Sequence, residues 1–398
     1  MTVPERLSAL RKIMKEKDIT MLIVPTADFH QSEYVGEHFK ERMFITGFTG
    51  SAGTALIGLE EARLWTDGRY FIQAAKQLEG TTVQLMKMFE PGVPSLEAFL
   101  EEHLKEGDTL AFDGRAVSVG EGQEYARIAE KKKAKILYDE DFVDPVWKNR
   151  PALSEEPAFD LEEKYAGESV SSKMARIRKE MEEAGCDAHI VSTLDDTCWT
   201  LNIRGNDIEF FPLVLSYAII KKDSFELYID ERKLDDNLKA LLKKEGVNLH
   251  PYNAIYEDVK QLPAGTTVMV DKSKLNYAIF NNIPASVHVV NKRNPAILMK
   301  ALKNPVEIEN IRKAQIKDSI AHLRFMKWLK ENVGKIRITE LSASEKLDEF
   351  RKEMGNFIRD SFEPISSFGP HSAIVHYCSS PETDVEFKEG TLYLSDTG

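Results

Sequence analysis

The sequence is poor in cysteine and has no excess of basic residues. Its three cysteines, Cys186, Cys198 and Cys378, are too few and too scattered for a disulfide framework or a zinc cluster. Lysine and arginine number 53 against 65 acidic residues, which gives a formal charge of −12. Nucleic-acid affinity comes from clustered basic side chains, so this balance argues against a nucleic-acid partner.

Long apolar runs are also missing. No stretch approaches the roughly 18 uncharged apolar residues that a membrane span requires. The N-terminal residues, M-T-V-P-E-R-L, lack the apolar segment of a secretory signal. With so little cysteine, a reducing compartment is the simplest setting. The sequence therefore predicts a cytoplasmic protein without a membrane partner.

What the chain does have is an internal repeat. At 398 residues it exceeds the roughly 100–200 residues of one domain. Residues 6–29 resemble residues 173–196, because each segment predicts an amphipathic helix followed by a short apolar strand. The apolar stripes of the two helices are Leu7, Leu10 and Met14, and Met174, Ile177 and Met181. The repeat therefore predicts two similar α/β domains in tandem.

Changes in composition predict where these domains end. A proline-rich and charged linker occupies residues 149–157, and a second break lies near residues 291–295. Asn304 and Pro305 are suited to cap and open a long amphipathic helix. We therefore predict domains at 1–157, 158–297 and 298–398. The third consists of helices and then strands, and it is predicted to be incomplete because the sequence stops on a strand.

Three side chains in these regions have both a functional and an ordinary interpretation. Asp396 follows the apolar strand Leu392–Leu394 and is either a metal ligand or a turn residue. His376 lies in the apolar segment 373–377, predicted to be a strand, and is either a catalytic histidine or a core histidine. Arg69 is either a substrate contact or the local partner of Asp67. The residues alone leave these alternatives open.

Six longer motifs occur in a fixed order along the chain. They are D-F-H-Q-S-E-Y (28–34), G-F-T-G-S-A-G-T-A (47–55), W-T-D-G-R-Y-F (65–71), L-N-I-R-G-N-D-I (201–208), I-S-S-F-G-P-H-S-A-I-V-H-Y (365–377) and L-Y-L-S-D-T-G (392–398). With these motifs the chain resembles the cytosolic-type Xaa-Pro aminopeptidases, or aminopeptidases P, of the creatinase, prolidase and methionine-aminopeptidase superfamily.

The resemblance implies a fold and a reaction. The fold is two creatinase-like N-terminal α/β domains followed by the incomplete start of an α+β pita-bread metallopeptidase domain. The reaction is the metal-dependent removal of the first residue from peptides with proline at position two. The full-length enzyme is expected to be a homodimer that holds two divalent metal ions, which are usually Mn²⁺ in this family. Asp396 matches a metal ligand, His376 a catalytic and substrate-binding histidine, and Arg69 a substrate-binding arginine.

The remaining metal ligands of the family would lie beyond Gly398. The 398-residue chain is therefore expected to be inactive alone and to hold no metal stably. Two alternatives stay open, namely a non-catalytic protein-binding module with an aminopeptidase-like fold and a prolidase-like dipeptidase. The presence of Asp396, His376 and Arg69 weighs against the first, and the duplicated N-terminal half weighs against the second.

Overall fold

The computed structural model describes residues 1–398 as two compact units. The first unit comprises Met1–Glu163 and Glu168–Leu302, and the second comprises Lys164–Gly167 and Lys303–Gly398. The first unit contains both copies of the repeat, each as a lobe with its own six-stranded sheet. The exact domain boundaries at 157 and 297 stay predictions.

The N-terminal lobe is built on a mixed sheet. Its strands are β1 (Met21–Pro25), β2 (Thr54–Gly58), β3 (Ala62–Thr66), β4 (Val83–Lys87), β5 (Thr109–Phe112) and β6 (Lys135–Leu137). Its helices are α1 (Val3–Glu16), α2 (Glu41–Thr46), α3 (Phe71–Gln77), α4 (Leu96–His103) and α5 (Val119–Lys132). The strand order is β4-β3-β2-β1-β5-β6, in which β1, β2 and β3 pair antiparallel and the outer pairs are parallel.

The middle lobe repeats this arrangement. Its strands are β7 (Phe159–Asp160), β8 (Ala188–Val191), β9 (Ile203–Arg204), β10 (Ser216–Lys221), β11 (Phe225–Ile229), β12 (Val247–His250), β13 (Thr267–Val270) and β14 (His288–Asn291). Its helices are α6 (Glu163–Ala166), of which only the first residue belongs to this unit, α7 (Val170–Glu183), α8 (Leu194–Leu201), α9 (Asp236–Lys244), α10 (Ile255–Asp258), α11 (Tyr277–Asn281) and α12 (Pro295–Ala301). The strand order β12-β11-β10-β8-β13-β14 has the same sequence of parallel and antiparallel pairs as the first sheet. The predicted duplication is therefore confirmed.

The helical stripes found in the sequence lie in the two cores. The apolar stripe of α1 and that of α7 are both buried at 2% exposure or less. Each helix starts at a hydroxyl N-cap, Thr2 for α1 and Ser169 for α7, as expected because such side chains accept a hydrogen bond from the first turn. The repeated apolar spacing therefore positions each helix against its sheet.

Equivalent turns of the two lobes meet at their junction. Val119 N donates to Leu275 O at 2.9 Å, and Tyr277 N donates to Val117 O at 2.8 Å. Gly122 of α5 faces the ring of Tyr277 so closely that a Cβ atom would lie 2.2 Å from it. Backbone bonds and this close approach hold the two lobes in one compact unit.

A buried histidine links the same lobes. His30 follows β1, and its Nδ1 donates to Ser192 O at 2.7 Å, while its Nε2 lies 2.6 Å from the hydroxyl of Tyr252. Because a carbonyl only accepts, Nδ1 carries the proton and Nε2 accepts from the tyrosine. Burial lowers the pKa of His30, and the nearby Asp28 and Asp207 oppose that shift only in part.

The lowered pKa of His30 predicts a pH-dependent stability. The unfolded chain takes up a proton near pH 6.5 while the folded protein does not. The free energy of unfolding should therefore fall below pH 6.5, by about 1.4 kcal/mol per pH unit for this group, until the lower folded pKa is reached. His30→Gln keeps a donor and an acceptor but cannot titrate, so its stability should fall less than that of the wild type between pH 7.5 and 5.5.

Urea unfolding of both proteins at several pH values checks this prediction. His288→Gln, at an exposed position of β14, is the matched control and should follow the wild type. Parallel pH curves for wild type and His30→Gln would contradict the assignment of a neutral buried His30.

The second unit contains two helices and one strand pair. They are α13 (Pro305–Asn332), α14 (Glu340–Glu353), β15 (Ile365–Phe368) and β16 (Tyr393–Asp396). Asn304 caps α13 in a capping box with Glu307, as its sequence predicts. Of the α13 residues, Ala321 and Phe325 are buried, and they pack with residues of α14 and of the strand pair in one core. None of the helices is both long and apolar enough to cross a membrane.

Candidate functional site

The strand pair of the second unit carries Asp396. β15 and β16 are antiparallel, and their register pairs Ile365 with Asp396 and Phe368 with Tyr393. Phe368 and Tyr393 each contact the ring of Phe387, with centroids 4.7 Å apart in both cases. The apolar side chains thus anchor the strand in the core, and the exposed carboxylate of Asp396 stands at its end, as the sequence predicts.

An arginine fixes the chain directly after Asp396. The side chain of Arg351, which is 3% exposed, donates from Nη2 to Thr397 Oγ1 at 3.1 Å and from Nε to Asp318 Oδ1 at 2.8 Å. Its Nη1 donates to Asp360 Oδ1 at 2.6 Å. Burial raises the pKa of Asp360 to about 6, and the arginine opposes this shift. The end of β16 is therefore tied to α14 and α13 by one guanidinium.

The prediction of a strand around His376 is wrong. A 3₁₀ turn spans Gly369–Ala373 instead, and Ile374 N donates to His371 O at 3.0 Å to close it. Pro370 favours such a turn because its fixed φ suits a turn start and it lacks an N–H for a strand ladder. His376 follows on an exposed turn with a φ of 56°, in the left-handed region.

That backbone conformation is uncommon for a non-glycine residue. His376 shares it with eight other non-glycine residues, so the φ angle alone does not mark a functional position. His376 is exposed and is therefore not a core histidine.

Arg69 lies in the N-terminal lobe just beyond β3. Its Nε and Nη2 each donate to a carboxylate oxygen of Asp67 at 2.8 Å, and its guanidinium lies 5.2 Å from the ring centre of Tyr70. The local ion pair considered from the sequence is thus present. The side chain is still 43% exposed, so a planar, oriented donor group faces solvent.

The donor set around Asp396 does not by itself fit a two-metal centre. Asp396 offers one carboxylate, and no group of three or more histidine, cysteine, aspartate or glutamate donors includes it. One such group does exist in the N-terminal lobe, formed by Glu41, Asp113 and Asp141. We therefore derive no reaction step through metal ions from these 398 residues.

Two arginines account for that acidic group. Arg150 binds Glu41 at 2.5 Å and Asp141 at 2.6 Å, and Arg115 binds Asp113 at 2.7 Å. Burial raises the pKa of Glu41 well above its usual value. The cluster is a buried ion-pair network that joins α2 to the linker after β6.

Two buried charged residues of the second unit are not evident from the sequence. Glu340 and Arg351 are both buried, although charged side chains are usually exposed. Glu340 follows the N-cap Thr339 and by its position resembles an ordinary acidic residue in the first turn of a helix. By its position, Arg351 resembles an ordinary basic residue in the last turn of a helix. No local pattern separates them from the surface charges of α14.

Comparison with known families matches the observed division of the chain. Residues 6–138 and 149–307 each match a creatinase/prolidase N-terminal domain, and residues 309–398 match metallopeptidase family M24. These ranges correspond to the two lobes and the second unit.

Individual relatives match over almost the whole chain. A probable Xaa-Pro aminopeptidase P of Neurospora crassa is 37% identical over 99% of this chain and 60% of its own length. Aminopeptidase P1 of Arabidopsis thaliana is 34% identical over 99% of this chain and 68% of its own length. The chain thus spans about three fifths to two thirds of the length of these relatives.

A solved structure has the same fold throughout. The crystal structure of X-prolyl aminopeptidase from Caenorhabditis elegans, described as a cytosolic enzyme with a di-nuclear active site, covers 100% of this chain with a TM-score of 0.94. The two sequences are 30% identical, and the match spans 68% of that enzyme's chain.

Proposed function

Because the chain belongs to the Xaa-Pro aminopeptidase family, we propose that the whole protein is a metal-dependent Xaa-Pro aminopeptidase. It would remove the first residue from peptides with proline at position two. The observation that carries the proposal is the second unit, in which Asp396 ends a core-anchored strand and His376 occupies a strained, exposed turn. Two creatinase-like lobes precede this unit, as in the family.

We assign the three sequence-predicted residues separate roles. Asp396 is proposed as a carboxylate ligand of a two-metal centre, for which Mn²⁺ suits hard oxygen donors. His376 is proposed to donate a hydrogen bond to the carbonyl oxygen of the scissile bond, where negative charge develops. Arg69 is proposed to bind the peptide through its exposed guanidinium edge.

The setting of the protein is proposed on the same basis. Its substrates are peptides, and a formal charge of −12 disfavours nucleic acid as a partner. We propose a cytoplasmic homodimer. Gel filtration with light scattering of the whole protein tests the dimer directly.

The test of the function is peptide hydrolysis by the whole protein with added Mn²⁺. A tripeptide with proline at position two should be cleaved after its first residue, and the same tripeptide with alanine there should not. Turnover of the Xaa-Pro dipeptide alone would indicate a prolidase-like dipeptidase. Absence of any turnover with bound Mn²⁺ would contradict the proposal and favour the protein-binding module.

His376→Ala is the first variant to measure. Removing one donor to a developing oxyanion costs about 10²–10³-fold in kcat, so we expect a loss of that order with little change in KM. His288→Ala, at an exposed position of β14, is the control and should retain wild-type kcat. An unchanged kcat in His376→Ala would remove His376 from the proposed reaction.

A further inference from the structure

The carboxylate of Glu340 is buried at the start of α14, next to the turn that carries His376. Its side chain has 0% exposure. Oε1 accepts from Phe368 N at 2.6 Å and from His371 Nδ1 at 2.9 Å, and Oε2 accepts from the hydroxyl of Tyr377 at 2.7 Å. Three donors, from the end of β15 and from the turn that follows it, therefore converge on a single carboxylate.

The three donors lie on both sides of His376 along the chain. Phe368 ends β15, His371 lies in the 3₁₀ turn, and Tyr377 follows His376 directly. The backbone carbonyl of Glu340 also accepts from Ser366 Oγ at 2.7 Å. One residue of α14 thus fixes the strand that pairs with β16 and both ends of the turn.

The chemistry of these contacts favours a rigid turn. A carboxylate accepts hydrogen bonds through both of its oxygens, so one side chain can hold all three donors. Burial raises the pKa of Tyr377 to about 12, so its hydroxyl remains a donor at neutral pH. The ring of Tyr377 also stacks on His371, with centroids 4.4 Å apart.

His376 itself needs such support. Its left-handed φ of 56° costs roughly 1–3 kcal/mol in a non-glycine residue and persists only where the surroundings impose it. The hydrogen bond from Tyr377 N to Ile374 O, at 3.2 Å, closes the turn but does not anchor it to the core. The Tyr377 hydroxyl on Glu340 supplies one anchor, one residue away from His376. On the far side of the turn, Ser379 Oγ donates to Ser366 O at 2.7 Å.

We propose that Glu340 is a positioning residue that holds the His376 turn in its reactive geometry through Tyr377 and His371. The inference rests on the proposed function, because His376 must act on substrate for its position to matter. Glu340 lies behind the turn in the core and is assigned no contact with substrate.

The test is a double-mutant cycle between Glu340 and His376 in the whole Mn²⁺-loaded protein, with hydrolysis of a proline-containing tripeptide as readout. Gln at position 340 keeps the shape but brings an N–H₂ donor against three donors. Since small misplacements of a catalytic group cost up to about 10²-fold, we expect Glu340→Gln to lower kcat by about 10- to 100-fold. In the His376→Ala background the same change should alter kcat less than about twofold, because groups that act as a unit are not additive.

Two further variants keep the test decisive. Tyr377→Phe removes one of the three donors, so it should lower kcat less than Glu340→Gln and also lose its effect beside His376→Ala. If Glu340→Gln does not fold, Tyr377→Phe takes its place in the double-mutant cycle. Glu345→Gln, at an exposed position of the same helix, should keep wild-type kcat.

Two results would overturn the inference. One is a wild-type kcat in Glu340→Gln, and the other is an equal loss of kcat with and without His376, which is what a general loss of structure would produce. An inactive wild-type protein would instead overturn the proposed function, and this inference with it.

Discussion

Replacing Lys233 with methionine is expected to lower the free energy of unfolding of the two-lobed unit by about 3–5 kcal/mol. Lys233 Nζ lies 2.5 Å from Asp207 Oδ2, and the two side chains are 2% and 0% exposed. The same carboxylate oxygen accepts from Leu215 N at 2.7 Å. Methionine has a similar length but no charge, so the variant leaves the buried Asp207 carboxyl without its cation.

Two further variants show how much of this loss in free energy comes from the broken ion pair and how much from altered packing. Adding Asp207→Asn to Lys233→Met puts a neutral amide in place of the carboxyl that has lost its cation and keeps an acceptor for Leu215 N, so the double variant should recover more than half of the loss. Lys239→Met removes a lysine whose side chain is 37% exposed and lies 3.9 Å from Glu231, and we expect a change below about 1 kcal/mol.

Urea unfolding followed by both circular dichroism and tryptophan fluorescence gives these free energies, provided that the two signals coincide. An equal effect of Lys233→Met and Lys239→Met would show that the buried ion pair does not stabilise the unit.

The sequence motifs of the two lobes acquire structural explanations from the same contacts. Within D-F-H-Q-S-E-Y, Asp28 Oδ1 accepts from the backbone N–H groups of His30 and Ser32, both at 2.9 Å, and His30 docks on the middle lobe. Within L-N-I-R-G-N-D-I, Asp207 is the buried partner of Lys233. Both motifs therefore have structural roles, within the lobes and at their junction. The polar residues of the motifs do not by themselves indicate these roles.

The glycine-rich motif has a comparable explanation. The guanidinium of Arg42, a side chain 1% exposed, donates to the carbonyls of Phe48 and Gly50. At Gly50 a Cβ atom would lie 2.2 Å from the ring of Phe48. The loop needs glycine because an arginine and an aromatic ring occupy the space around its backbone.

Much of the fold could be predicted because it depends on local patterns. Helical stripes such as Leu7, Leu10 and Met14, the N-caps Asn304 and Thr339, and the short apolar strands all act within a few residues. Their repetition predicted the duplication before any contact was known. The order of strands in each sheet could not be read from these patterns, because pairing depends on contacts between distant segments.

The candidate site was less accessible to prediction. The segment Ala373–Tyr377 has the apolar composition of a strand. It nevertheless follows a turn that begins at Gly369, and the donors His371 Nδ1 and the Tyr377 hydroxyl bind Glu340 instead of a neighbouring strand. On α14, Glu340 lies 28 residues before Phe368, and Arg351 lies 46 residues before Thr397. Periodicity cannot reveal a buried charge whose partners lie that far along the chain.

Arg351 gives the second large effect that we predict. Its guanidinium is 3% exposed and contacts Asp318, Asp360 and Thr397 within 3.1 Å. Arg351→Met leaves the carboxylate of Asp360, itself 10% exposed, without its cation. Breaking a buried pair in this way costs about 3–5 kcal/mol, and we expect a loss of that size in the stability of the second unit.

The variant should also loosen the end of β16, because the bond to Thr397 is lost next to Asp396. Hydrogen exchange measures both effects, with faster exchange expected in peptides from α14 and from residues 393–398. Arg351→Lys should restore only part of the protection, because an ammonium group cannot reproduce the planar fork that reaches three partners. Lys327→Met removes a 73% exposed lysine paired with Glu331 on the same helix and should leave exchange unchanged. If Arg351→Met speeds exchange in α14 but not in residues 393–398, the guanidinium stabilises the helices without positioning Asp396, and the candidate ligand is held by its strand alone.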